Sequence, residues 1–186
     1  MSSDQAGGLP AGPWCKLARA LAIVFLVGDA SDVFEPQFAS SVAAELRARF
    51  PESAAGGEAY RSDAVDANGW RELQQRAGAL APQVSRMEAY QAVWVPGGPS
   101  PIAAVPIANA ADPLHVGSLG QLLEELRVFA AAHTLPSDDL ELMQLAAKYL
   151  EDDELFDRDL DIQTYVQLML SARQASARQQ PLWIVL

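Results

Sequence analysis

Residues Ser118–Gln180 read SLGQLLEELRVFAAAHTLPSDDLELMQLAAKYLEDDELFDRDLDIQTYVQLMLSARQASARQQ, and this stretch decides the fold class. It holds three helix patterns in succession, each with its own start and stop signals. Ser118 precedes the first, with Gln121 three residues on. That spacing lets the serine oxygen accept from a free first-turn N–H while the glutamine side chain reaches back. Leu119, Leu122, Leu123, Leu126, Phe129 and Ala130 then recur at three- and four-residue steps, so they share one face. Burying each of the larger ones stabilises by about 2 kcal/mol, against about 1 kcal/mol for the cap. Packing holds this helix, and the cap sets where it begins.

The pattern stops at His133-Thr134-Leu135-Pro136, since a proline restricts its predecessor and cannot donate to the ladder. Ser137 opens a second helix, with Asp138, Asp139 and Glu141 at its positive end. Its buried stripe is expected to be Leu142, Leu145 or Ala146, Tyr149 and Leu150. A third helix starts near Asp159 or Asp161 and carries Ile162, Tyr165, Val166, Leu168, Met169 and Leu170. Apolar residues cover most of its circumference, so it is expected to be the most buried of the three. Arg173 and Arg178 stand near its C-terminal end, where cations are favoured. Pro181 ends it, and the β-branched and aromatic run Leu182–Leu186 reads as a final strand.

Upstream, Met1–Pro13 is rich in Ser, Gly and Pro and reads as a flexible tail before a single domain over 14–186. Leu21–Val27 reads as a buried strand closed by Gly28. The positive residues Lys16 and Arg19 ahead of it give a faint export-signal pattern, but Asp29 and Asp32 follow at once and favour a core strand. Pro36 suits the first turn of a helix carrying Phe38, Val42, Leu46 and Phe50. A loop over 52–58 follows. A further helix is expected over Asp66–Leu80, burying Trp70, Leu73, Ala77 and Leu80. Glu88–Val95 reads as a strand and 96–101 as a turn. Ile102–Ala108 returns as a strand that Pro106 confines to a sheet edge. Leu114-His115-Val116 is a short extended lead-in to the Ser118 cap. The fold class is therefore α+β: a C-terminal three-helix region packed with a small sheet of short strands.

Composition narrows the function classes. The 186 residues suffice for one domain with a real core. A formal net charge of -11 disfavours nucleic acid, whose phosphates call for clustered Lys and Arg, and disfavours anionic membranes. No run approaches the roughly 18 apolar residues of a membrane span, so a cytoplasmic location is expected. Cys15 is the only cysteine, which leaves no disulfide framework and no cysteine-based zinc site. Eleven arginines against two lysines, with abundant alanine, suggest a GC-rich bacterial genome.

Candidate chemistry is sparse. The strand ending in Gly28-Asp29 resembles the opening of the GDSL-type hydrolases. The resemblance implies a nucleophilic serine directly after that pair. Ala30 stands there, Ser31 comes one residue late, and no Asp-x-x-His pair follows near the C-terminus. A hydrolase reading would pair Asp29 and Ser31 with His115 or His133. Cys15 as a nucleophile would need the same histidines nearby. Both are weighed against a glycine turn followed by helix-start acids and a small buried cysteine. Two histidines eighteen residues apart make a weak zinc signal, and no cofactor or metal is expected.

The sharpest feature is Glu151–Asp161, in which seven of eleven residues are carboxylates. Asp157, Asp159 and Asp161 match the first ligand positions of a calcium loop. Ile162 then stands where that loop needs glycine, and Leu168 where it needs glutamate, so such a site is rejected. The plain reading is a solvated helix connection whose later aspartates cap the third helix, with Glu154 and Arg158 pairing across one turn. The sharper reading is a docking patch for a basic protein, carried by Glu151, Asp152, Asp153, Glu154 and Asp157. The leading expectation is an interaction module of the bacterial immunity type, which binds and neutralises a toxin or effector. The alternatives are the small hydrolase above and a regulatory domain with a small-molecule pocket.

Overall fold

The computed structural model describes residues 22–53, 56–89, 92–151 and 158–186. The proposed tail, Cys15, Tyr90 and residues 152–157 lie outside these. In chain order the elements are β1 (Ala22–Val27), a 3-10 turn (Ala30–Asp32), α1 (Pro36–Arg49), β2 (Tyr60–Arg61) and β3 (Val65–Asp66). Next come α2 (Ala67–Ala77), α3 (Pro82–Ser85), β4 (Ala92–Val95), β5 (Ala103–Val105) and β6 (Leu114–Ser118). The chain closes with α4 (Leu119–His133), α5 (Asp139–Glu151), α6 (Leu160–Arg178) and β7 (Leu182–Val185).

The strands form one mixed sheet in the order β2-β1-β7-β4-β6-β5, with β3 continuing the β2 edge along β1. Only β4 and β6 are parallel; the other neighbours run antiparallel. Between β2 and β3 the edge keeps its bonding through a side chain. Ser62 N donates to Phe25 O at 2.9 Å, while Phe25 N donates to Ser62 Oγ at 3.0 Å.

Helices cover both faces, which explains why β4 (AVWV) and β7 (LWIV) are apolar without alternation and buried at every position. On one face Phe25, Trp94 and Ile184 meet Trp70, Leu122, Phe129 and Tyr165 from α2, α4 and α6. On the other, Leu26, Val93, Val116 and Trp183 meet Phe34, from the link between the 3-10 turn and α1, and Phe38, Val42 and Leu46 from α1. One face thus carries several helices and the other essentially one.

The α+β class and the C-terminal helical region stand as read from the sequence. The third helix is indeed the most buried: Gln163–Met169 are buried without a break. Pro36 begins α1, β5 is a sheet edge as Pro106 requires, and β7 lies between β1 and β4.

Several details differ. Ser118 caps α4 by accepting from Gln121 N at 3.2 Å, but the Gln121 side chain turns forward to Glu125 at 3.2 Å. Asp138, not Ser137, leads α5, accepting from Leu140 N at 2.9 Å. The first-turn N–H groups prefer the charged acceptor nearest them. Helix α2 ends at Ala77 because Gly78 turns the chain at φ +46°, leaving Leu80 42% exposed. The lead-in to Ser118 is a full strand, since parallel pairing with β4 adds order that three residues do not show on their own.

Candidate functional site

Helix α5 leans on the molecule by one flank only, packing chiefly against α6. Leu142 and Tyr149 are buried there, with Leu145 and Ala146 partly covered. Its entry is pinned by Arg173, which reaches from α6 to Asp139 and to Ser137 O. The opposite flank is apolar as well. Leu140, Met143 and Leu150 are 60%, 53% and 70% exposed, with Ala147 also exposed between them. Steps of three, four and three residues align these four as one stripe over three turns. Leu150, expected in the buried stripe, belongs to this outer one: the turn that buries Tyr149 points its neighbour away from α6.

Acids border the stripe. Asp138, Asp139 and Glu141 stand at the start of α5, and Glu151, exposed, ends it. Of the five residues proposed as partner contacts, Glu151 is thus on the surface beside Leu150. Asp152, Asp153, Glu154 and Asp157 lie outside the described residues, as does the expected Glu154–Arg158 pair. The two following aspartates have structural partners. Asp159 receives Arg158 Nε at 3.0 Å and Arg158 Nη2 at 3.2 Å. These Arg158 bonds, with help from the Tyr149 hydroxyl, hold its carboxyl below the usual range. Burial pushes the Tyr149 phenol up to about 12, with Asp159 and Asp161 adding to the shift. Asp161 pairs with Arg76 of α2 at 2.6 Å. Neither aspartate caps α6 as expected: the side chain of Asp159 makes no cap bond, and arginines claim both groups.

The residues of the hydrolase reading separate. Asp29 and Ser31 both line a cavity of about 470 Å³ between α1 and the sheet, and neither histidine does. His133 lies in the other layer, its ring centroid 4.5 Å from that of Phe129 and its Nδ1 accepting from Arg76 Nε at 3.4 Å. His115 sits on β6 opposite Ala92 and Ala104. The Asp29 carboxylate accepts from Gly56 N at 2.8 Å. Among the described residues, no group of three or more His, Cys, Asp or Glu is arranged to hold a metal.

One buried carboxylate went unread in the sequence. Glu125, 7% exposed, accepts from Gln83 N at 2.6 Å and from Gln121 Nε2 at 3.2 Å. Burial raises its pKa and those two bonds only partly offset it. Gln83 also accepts from Ser118 N at 3.1 Å and from Trp94 Nε1 at 3.3 Å, so the group ties α3, β4 and α4 together. Its place on the inner face of α4, between Leu122 and Phe129, is the signal that could have found it.

Among the described residues no helix is long and apolar enough to cross a membrane. Compared with known proteins, the chain matches no family model, no curated protein and no solved structure.

Proposed function

We propose that this protein is an interaction module that captures a basic protein partner on the outer face of α5, in the manner of a cytoplasmic bacterial immunity protein neutralising a toxin or effector. The observation that carries the reading is the exposed stripe Leu140–Met143–Ala147–Leu150, bordered by carboxylates. A second apolar face on a peripheral helix contributes nothing to the fold it sits on, and contiguous apolar surface rimmed by polar groups marks interaction sites. The acids at both ends of α5 and the net charge of -11 select a cationic partner and speed its approach. The partner surface that fits is an apolar ridge flanked by Lys and Arg, such as an amphipathic helix laid against α5. Glu151, Asp152, Asp153, Glu154 and Asp157 are its proposed charge contacts.

The test is capture from the native host by three baits, read by mass spectrometry. Wild type retains a basic protein, and retention falls as salt is added. Charge reversal at Asp152, Asp153 and Asp157 weakens capture, and Met143→Glu with Leu150→Glu weakens it further. Equal recovery of the same partner by all three baits contradicts the reading.

A further inference from the structure

We propose that the cavity between α1 and the sheet binds a small zwitterion with an apolar body, namely a free apolar α-amino acid or a short apolar peptide. The cavity owes its existence to the sequence of α1. The flank that faces it carries Ala39, Ser40, Ala43 and Ala44, whose small side chains leave unfilled about 470 Å³ that larger ones would occupy. That volume lies within the roughly 300–1,000 Å³ of small-molecule sites.

Its floor is carbon. Phe34 and Trp183 are both buried and meet edge-to-face at 5.4 Å between centroids. The Trp183 N–H is already donated to Gly28 O at 2.8 Å, so the indole offers no donor to an occupant. Two opposite charges face the same space. Asp29 and Arg47 both line the cavity, yet among the described residues neither has an ion-pair partner, and they do not pair with each other. The neighbouring Arg49, by contrast, is paired with Glu45 at 3.2 Å. Ser53 adds a lining hydroxyl that is shielded from solvent and has no hydrogen-bond partner. Buried polar groups are nearly always bonded, so a bare one at a cavity wall points to an occupant.

An ammonium at Asp29 and a carboxylate at Arg47, with the side chain against the apolar wall of Phe34, Ala43 and Ala44, would satisfy all of these groups at once. A simple anion or a simple amine would satisfy one charge and meet the other as a repulsion. This site is separate from the α5 face and stands or falls without it.

The experiment titrates L-phenylalanine, N-acetyl-L-phenylalanine and L-phenylalaninamide into the full chain, following Trp fluorescence and calorimetry. L-phenylalanine is expected to bind one to one, and each blocked derivative about tenfold or more weaker. Asp29→Asn weakens L-phenylalanine but strengthens the N-acetyl form, whose repulsion it removes; Arg47→Gln weakens L-phenylalanine and strengthens the amide form in the same way. Ala44→Trp, at an exposed position on the cavity-facing flank, abolishes binding, with the melting temperature of each variant confirming its fold. No heat or fluorescence change at millimolar L-phenylalanine overturns the proposal. So do blocked derivatives that bind as well as the free amino acid, and binding that survives Ala44→Trp.

Discussion

Three single residues test how well local forces are understood. At Gly69, inside α2, alanine would normally stabilise the helix by about 0.5–1 kcal/mol. Here an added Cβ would stand 2.5 Å from Leu160 O and 2.7 Å from Thr164 Oγ1, where α2 crosses the start of α6. Neither backbone can yield without parting the helices, and overpacking of this kind costs about 1–3 kcal/mol. Gly69→Ala is therefore expected to lower stability, and a denaturant midpoint that rises would refute the close crossing. Tyr165 offers a pH test. It is fully buried, donates to Pro136 O at 2.7 Å, and burial pushes its phenol up to about 12. A raised folded value means that its stabilisation is complete below the unfolded phenol's pKa, near 10, and is lost as pH rises toward 12. Tyr165→Phe should cost about 0.5–1.5 kcal/mol at neutral pH and flatten the alkaline fall in stability between pH 10 and 12. Glu125 gives the same sign at lower pH. Its raised value makes its contribution largest below the unfolded carboxylate pKa and smaller as pH rises. Equilibrium unfolding of Glu125→Gln across that range should show a flatter pH dependence than wild type. At this scale Ser118 was legible, because a cap and its target N–H are three residues apart in the chain. Glu125 and Arg173 were not, because their partners lie 42 and 34–36 residues away.

Among the elements, α5 is where the periodicity of the sequence was ambiguous. Leu140, Leu142, Met143, Leu145, Tyr149 and Leu150 surround the helix, and a stripe can be drawn through more than one subset of them. Leu142 and Tyr149 are buried as the sequence reads, and contact with α6 leaves Leu150 outside the stripe. The two flanks should answer mutation differently. Leu142→Ala is expected to cost about 2–5 kcal/mol by opening a cavity. Leu150→Ala should leave stability within about 0.5 kcal/mol, measured by the same unfolding titration. Equal losses would mean that the outer flank is covered in the isolated chain. Strand β6 was legible only in part: Leu114–Val116 reads as extended, and the strand continues through Gly117 to Ser118. In the sheet that glycine is required: a Cβ there would lie 2.3 Å from Gln83 Oε1 and 2.6 Å from the Trp94 ring. Strand β7 was legible because a fully apolar run bounded by proline suits the sheet interior.

For the molecule as a whole, charge and architecture point the same way. The mixed sheet is covered on both faces, and among the described residues the outer flank of α5 gathers three of the five exposed large hydrophobic side chains, Leu140, Met143 and Leu150. The acidic balance was plain from composition, and the exposed apolar flank of α5 was not, since exposure depends on which helix each flank meets. The hydrolase reading stood on sequence spacing alone. The layers of the fold carry Asp29 and Ser31 to a cavity that neither histidine lines. The outer flank of α5 is the surface proposed for a cationic partner. Hydrogen exchange on the complex with the captured partner measures this most directly. Added protection concentrated at residues 139–151 is the predicted result, and unchanged exchange there with protection on another element would contradict it.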